Sequence, residues 1–140
     1  MIQLVLPLPP SKNRLYSNAK RWTRGKDGRS KSYMARMKSP RYQAFEQEVA
    51  AEVWRQTTIE QREELQRVAA EEPLTVSVTV CFPPDDKTRD VVNLLDALMD
   101  AIKGPLGVDD SRFQDVSITQ HQAHWGAWEG PPCRVEIRRY

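Results

Sequence analysis

Residues 74–103 read LTVSVTVCFPPDDKTRDVVNLLDALMDAIK and contain the two clearest periodic patterns in the chain. From Leu74 to Phe82 apolar and polar side chains alternate, which predicts a β-strand with one face in the core. From about Asp90 to Lys103 apolar residues recur every three or four positions, which predicts an amphipathic helix that Gly104-Pro105 ends. We expect the other elements to assemble around this strand and helix.

Shorter patterns flank this unit on both sides. Ile2 to Leu6 alternates as a strand, and Ser39-Pro40 opens a helix that we expect to break near Thr57-Thr58, where both threonines offer capping boxes. Two further strands are predicted at about Asp115 to His121 and Cys133 to Arg138. The sequence therefore predicts a single α+β domain over residues 1–140, with a small mixed β-sheet and two main helices packed on one face.

Charge is distributed unevenly along the 140 residues. Residues 1–41 contain 11 lysines and arginines against one acid, a net charge of +10, whereas the rest contain 10 against 18, a net charge of −8. Residues 11–39 read as a basic loop or hairpin, with Lys26-Asp27-Gly28 as a possible turn. A basic arm on an acidic body is typical of a protein that binds a polyanion, and interleaved aromatic rings such as Trp22 can stack on unpaired bases. A solvated, partly disordered tail is the alternative interpretation.

Several classes of protein are excluded. No apolar run approaches the roughly 20 residues that a membrane helix needs. The opening segment, Met1 to Pro10, lacks the basic region of a signal peptide. Cys81 and Cys133 are far apart and have no zinc-ligand spacing, so we expect two small buried thiols in a reducing, cytoplasmic environment.

Carboxylates bracket the predicted helix, since Asp90 opens it and Asp109-Asp110 follow it. We expect the end of the strand and the later turn to meet at one edge of the sheet, which would bring these carboxylates together. Convergent carboxylates favour Mg²⁺, with Mn²⁺ as the other candidate. Such an ion activates water and neutralises charge on a phosphodiester. The alternative is structural, because Asp is a preferred N-cap residue and a common turn residue.

The same stretch resembles the signature of the RusA family of Holliday-junction resolvases, approximately R-D-x-D-N-L-x-K-x-x-x-D-A-L followed by a short linker and D-D. Residues 89–102 read RDVVNLLDALMDAI, and Asp109-Asp110 follow the linker. Residues 6–14, LPLPPSKNR, resemble the family's opening L-P-x-P-P-S-x-N-R. The two matches occur in the family's order and together cover most of the chain.

The resemblance implies a RusA-like fold and a homodimeric, Mg²⁺-dependent endonuclease of bacterial or phage origin. Such an enzyme resolves four-way DNA junctions by symmetrical nicks in recombination and repair. The family's first and last essential aspartates correspond to the catalytic candidates Asp90 and Asp110. The candidate metal ligands are Asp90, Asp110, Asp109 and Asp96. The candidate DNA-binding residues are Lys12, Asn13 and Arg14 in the matching opening, and Lys87, Arg89 and Arg112 beside the carboxylates.

Two positions depart from the family signature. Its second aspartate falls on Val92 and its lysine falls on Asp96, so one ligand is lost and one charge is reversed. Three explanations remain open. Asp96 replaces the missing carboxylate, or Asp109 joins Asp110 while Lys87 supplies the positive charge, or the chain binds branched DNA with weakened or absent cleavage.

Overall fold

The strand predicted at residues 74–82 is an inner strand of a four-stranded sheet. The structure is a computed structural model that describes residues 1–10, 16–82, 91–122 and 131–140. The strands in these residues are β1 (Ile2–Leu6), β2 (Tyr16–Arg24), β3 (Ser30–Lys38), β4 (Leu74–Phe82), β5 (Phe113–Gln122) and β6 (Cys133–Arg139). The α-helices there are α1 (Pro40–Gln56), α2 (Ile59–Glu71) and α3 (Val91–Leu106).

The sheet is mixed, as predicted. Its order is β1-β6-β4-β5, in which β6 is antiparallel to both β1 and β4, whereas β5 is parallel to β4. Two parallel neighbours need a crossover connection, and α3 lies in that connection. The β4–α3–β5 unit therefore determines where the ends of α3 lie relative to the sheet.

One face of the sheet and the apolar faces of the helices form a single core. Aligned side chains run across all four strands in rows, one of which consists of Ile2, Ile137, Val76 and Val116. In α1 the predicted apolar stripe is buried, namely Tyr42, Phe45, Val49 and Val53. In α3 the buried residues are Leu94, Ala97, Leu98, Ala101, Ile102 and Leu106. The alternation in β4 and the helical spacing in α1 and α3 thus explain the packing.

The predicted break near Thr57-Thr58 is confirmed, so three α-helices stand where two main helices were expected. Thr58 begins α2 with a capping box, in which the Gln61 N–H donates to the Thr58 hydroxyl (3.1 Å) and the Thr58 N–H donates to the Gln61 side chain (2.8 Å). Thr57 instead ends α1, because its N–H and its hydroxyl both donate to the Val53 carbonyl. Adjacent threonines therefore serve opposite helix ends.

The C-terminus of α3 differs from the prediction, because the helix continues through Gly104-Pro105 to Leu106. The Gly107 N–H donates to the Gly104 carbonyl (3.0 Å) and the Val108 N–H donates to the Lys103 carbonyl (3.1 Å). This pair of bonds is a Schellman motif, and it requires the left-handed backbone that Gly107 adopts at φ 69°. Proline is tolerated here because Pro105 lies in the final turn, which the motif closes.

Residues 11–39 were predicted to be a basic loop or hairpin, and β2 and β3 form an antiparallel hairpin within this range. Its turn is the predicted one. Gly28 has φ 78°, and the Arg29 N–H donates to the Asp27 side chain (3.0 Å). Residues 11–15 lie outside the described part of the chain.

The sequence predicts no membrane-spanning helix and two small buried thiols. Within the described ranges no helix combines the length and apolar character needed to cross a bilayer. Cys81 and Cys133 are free and buried, as expected. Burial raises the pKa of the Cys133 thiol to about 12, so this side chain behaves as a small apolar residue.

The end of α3 offers a matched pair of glycine substitutions. A Cβ on Gly107 would lie 2.5 Å from Gln66 Nε2, whereas a Cβ on Gly104 meets nothing within 4 Å. We expect Gly107→Ala to lower the free energy of unfolding by about 1–2 kcal/mol because of the left-handed backbone. Gly104→Ala should raise it by about 0.5–1 kcal/mol through helix propensity. Urea denaturation measures both, and equal effects would contradict the Schellman assignment.

Candidate metal and nucleic-acid site

The turn between α3 and β5 carries the predicted carboxylate pair. Val108 is buried and fixes the chain at the end of α3, and Asp109 then caps a single 3-10 turn, Asp110–Arg112. The Ser111 N–H donates to Asp109 Oδ1 (2.9 Å). This backbone hydrogen bond, helped by the Ser111 hydroxyl, lowers the pKa of Asp109 below its ordinary value. Asp109 therefore has a structural role of the kind that the alternative interpretation anticipated.

Asp110 faces a cation that the sequence interpretation had not assigned to the site. Lys103 Nζ lies 3.2 Å from Asp100 Oδ1 and 3.4 Å from Asp110 Oδ2, and the Asp110 side chain is 55% exposed. Its hydrogen bond to Asp100, and more weakly the charge of Asp110, raise the pKa of Lys103. The sequence signal for this contact is the i,i+3 spacing of Asp100 and Lys103 in the last turns of α3.

Arg112 holds this turn against the body of the protein. Its Nε donates to the Ala69 carbonyl near the end of α2, while Gln66 Nε2 donates to the Leu106 carbonyl (2.9 Å) at the end of α3. Two helix C-termini are thus tied together beneath the Asp109-Asp110 pair. The predicted role of Arg112 in DNA binding stays a prediction, and part of its guanidinium is already used in the fold.

The expected meeting of the two acidic segments at one sheet edge is wrong. In the parallel register Leu74 pairs with Phe113 and Phe82 pairs with Gln122. The turn at residues 109–112 therefore lies at the end of the sheet where β4 begins. The C-terminus of β4 lies at the opposite end of the strands. The reason is the crossover, because a helix between parallel strands returns the chain to the edge from which the first strand started.

Helix α3 lies between Asp90 and the Asp109-Asp110 pair in the chain. Asp90 lies outside the described residues, and Val91, which follows it directly in the chain, is the first residue of α3. A 16-residue helix places its first and last Cα atoms about 22 Å apart at 1.5 Å per residue. Carboxylates at the two ends of this helix are too far apart to bind one ion within the same copy of the chain.

Asp96, the fourth candidate ligand, lies between these ends. It is exposed on α3, about 15 Å along the axis from Leu106 at ten residues of 1.5 Å each. In the described ranges, which omit Asp90, there is no group of three or more acidic, histidine or cysteine side chains suited to a metal ion. The idea that Asp96 replaces the missing carboxylate beside Asp110 is therefore not supported within one chain.

The donor chemistry at the end of α3 nevertheless suits a hard cation. Asp110 and Asp100 offer carboxylate oxygens, and the negative end of the α3 dipole adds to their attraction for cations, but both carboxylates already pair with Lys103 Nζ, which an ion bound here would displace. One copy of this end supplies only part of a coordination sphere. The remaining predicted site residues, which are Lys12, Asn13, Arg14, Lys87, Arg89 and Asp90, lie outside the described residues, and their roles stay predictions.

The hydrogen bond to Asp109 has a pH-dependent consequence. Because the folded pKa is lowered, the carboxylate stabilises the fold above its ordinary pKa of about 3.9, and this contribution is lost as the pH falls through the lowered value. We expect stability to rise more steeply with pH below about 4 in the unmodified protein than in Asp109→Asn. Urea midpoints across this range test the difference, and parallel curves would contradict it.

The chain also matches a known protein family along most of its length. The chain matches the RusA family, described as endodeoxyribonuclease RusA, over residues 7–138 of its 140 residues. A comparison with curated proteins finds no match. The family match includes the opening prolines, the β4–α3–β5 unit and the Asp109-Asp110 turn. The mixed sheet with its helices agrees with this assignment, and the chain belongs to the RusA family of endodeoxyribonucleases.

Proposed function

We propose that this chain is a Mg²⁺-dependent endodeoxyribonuclease, with Mn²⁺ as an alternative ion, that acts as a homodimer on four-way DNA junctions. It would nick them symmetrically during recombination and repair. RusA membership supports the nuclease class and the junction substrate. The support for the metal-dependent mechanism is that Asp90 and the Asp109-Asp110 pair lie on either side of α3 in the chain, together with the carboxylates of Asp100 and Asp110 at the C-terminus of this helix.

The length of α3 explains why two copies are needed. A two-fold axis that crosses α3 near its middle places the start of one helix beside the end of the other. Asp90 of one copy then approaches Asp110 of the second copy, and the symmetry creates two equivalent sites about 22 Å apart, one helix length. Two related sites are what symmetrical nicking of two strands requires.

The same arrangement offers a source for the positive charge that is missing at Asp96. In an antiparallel pair centred on the middle of α3, Lys103 of the second copy lies about 3 Å along the axis from Asp96, by the helical rise. Lys103 already contacts Asp110 in the single chain (3.4 Å). We therefore infer that Lys103, rather than Lys87 alone, supplies positive charge to the composite site.

The proposed chemistry divides among these residues. Asp90 and Asp110 hold the ion, with Asp109 fixing the turn from which Asp110 projects. A bound divalent ion supplies an activated water and neutralises charge on the scissile phosphodiester. Lys12, Arg14, Lys87, Arg89 and Arg112, with Asn13, would hold phosphates around the crossover.

A junction-binding protein with weakened or absent cleavage is the second candidate. It is favoured by one observation on α3, where the signature's second aspartate and its lysine are replaced by Val92 and Asp96. Val92 is 65% exposed in the first turn of the helix, and its side chain has no oxygen with which to bind a cation. Binding would persist in this case because it depends on the basic residues.

Mixing two inactive variants tests the composite site. Asp90→Asn and Asp110→Asn should each abolish Mg²⁺-dependent cleavage of a synthetic four-way junction while binding persists. Random exchange of subunits produces one intact site in half of the dimers, so single-strand nicking should recover to about a quarter of the unmodified rate. Resolution by paired nicks should stay absent.

The matched control mixes Asp90→Asn with the double variant Asp90→Asn/Asp110→Asn, which cannot produce an intact site. Recovery in this control would indicate contamination or exchange with active protein. Failure of the first mixture to recover, despite demonstrated subunit exchange, would contradict a site shared between two copies. Full activity of either single variant would contradict the proposed metal ligands.

Restoring the family residues separates a weakened enzyme from an intact one. We expect Val92→Asp with Asp96→Lys to lower the Mg²⁺ concentration needed for cleavage by about tenfold, because a ligand and a phosphate-binding charge are regained. Val92→Asn with Asp96→Lys is the control, since it has the same shape without the carboxylate. Equal Mg²⁺ dependence of both double variants would contradict the weakened-enzyme candidate.

A further inference from the structure

The β2–β3 hairpin is a concentrated basic element separate from the ends of α3. Residues 16–38 contain eight lysines and arginines and one acid, Asp27. That acid is engaged in the turn, where it accepts the Arg29 N–H (3.0 Å). Arg24, Lys26, Arg29 and Lys31 surround the turn on exposed positions. The end of the hairpin is therefore strongly cationic.

The hairpin is anchored at its base and extends from there. Lys38 ion-pairs with Glu46 (3.0 Å), lies 5.1 Å from the centre of the Tyr42 ring, and accepts a hydrogen bond from Gln43 at its carbonyl (3.0 Å). The paired residues run from Tyr16 and Lys38 to Arg24 and Ser30. Eight steps of about 3.4 Å give a ribbon about 27 Å long.

The distal half of the hairpin presents an aromatic ring together with cations. Trp22 is 65% exposed and lies opposite Ser32, and Arg24 lies opposite Ser30 on the same face of the ribbon. Lys31, opposite Thr23, lies on the other face. Cations on both faces of the ribbon suit a ligand that carries negative charge on two sides.

We propose that residues 22–31 of the hairpin lie in the major groove of one duplex arm of the branched DNA. A two-stranded β-ribbon fits that groove, whose two walls are lines of phosphates. Arg24 on one face of the ribbon contacts one phosphate backbone and Lys31 on the other face contacts the second, while Trp22 packs against the same groove wall as Arg24. The whole ribbon, about 27 Å from its base to the turn, equals the length of about eight base pairs of 3.4 Å, so residues 22–31 at its distal end reach base pairs away from the crossover. This inference rests on the proposed junction substrate and adds a contact outside the cutting centre.

Binding assays without divalent ions test this contact separately from cleavage. The hairpin variant Arg24→Gln/Lys26→Gln/Lys31→Gln is compared with Arg55→Gln/Arg67→Gln/Arg139→Gln. The second triple removes the same charge from body arginines that ion-pair with glutamates. For the hairpin variant we expect the slope of log affinity against log salt to become less negative by about 2–3, at about 0.9 per lost phosphate contact. The body variant should keep the slope of the unmodified protein, and circular dichroism checks that both are folded.

Binding affinity is also measured as the arms of the DNA junction are shortened and as the aromatic ring of Trp22 is replaced. Shortening the junction arms from about 20 to about 6 base pairs should weaken binding by the unmodified protein tenfold or more and leave the hairpin variant nearly unaffected, since phosphate contacts are lost only in the first case. Trp22→Ser should weaken binding to the long-armed junction about fivefold or more because the contact area of the ring is lost, whereas Trp22→Tyr should largely preserve it because tyrosine keeps an aromatic ring.

Three results would overturn the proposal. Equal slope changes in the two triple variants would indicate a general charge effect. An unchanged slope with an altered oligomeric state in light scattering would assign the hairpin to a second copy of the chain. Unchanged arm-length dependence in the hairpin variant would place the contact elsewhere on the DNA. Loss of the proposed nuclease function would appear separately, as absent Mg²⁺-dependent cleavage with these binding effects intact.

Discussion

The parallel pairing of β4 with β5 is the constraint on which the candidate site depends. Parallel neighbours require the chain to return across the sheet, and the amphipathic stripe of α3 packs on the core during that return. The Asp109-Asp110 turn is consequently held beyond the C-terminus of a rigid helix whose first residue, Val91, directly follows Asp90 in the chain. A shared ion then demands a second copy, so the strand pairing within one chain bears directly on the proposed dimer.

The C-terminal end of this spacer is stabilised by contacts that leave Asp110 at the surface. Gly107 reverses the backbone, Val108 enters the core, and Asp109 is committed to the 3-10 turn. Gln66 and Arg112 satisfy carbonyl groups at the ends of two helices. The structural demands of the turn are thus met by residues other than Asp110, whose exposed carboxylate contacts Lys103. The adjacent aspartates therefore differ in their surroundings, since Asp109 is fixed in the turn and Asp110 is exposed.

Periodicity in the sequence predicted the elements well because the apolar face of each pattern packs in the core, although Thr75 and Cys81 on the other face of β4 are buried as well. The alternation in β4 and the stripe of α1 correspond to buried rows, and the paired threonines marked the helix break. The end of α3 was misplaced because glycine and proline usually end a helix earlier, whereas here the Schellman bonds form around Gly107. The predicted convergence of carboxylates failed for a different reason. It depended on strand direction, and the local sequence of β4 and β5 does not encode which edge each strand approaches.

Val92 and Asp96, which depart from the family signature, lie on a helix surface that carries other charged residues. Within one chain, Asp96 and Asp100 are exposed or half-exposed acids and Lys103 is the nearby cation at the helix end. An antiparallel pair brings the cation of one helix towards the acids of the other, so a lysine at position 96 is not the only way to place positive charge there. The lost carboxylate at Val92 has no comparable substitute on α3, because the acids that follow it lie further along the helix. The charge reversal is therefore compatible with a working composite site, and the valine is the substitution that bears most on whether cleavage is efficient.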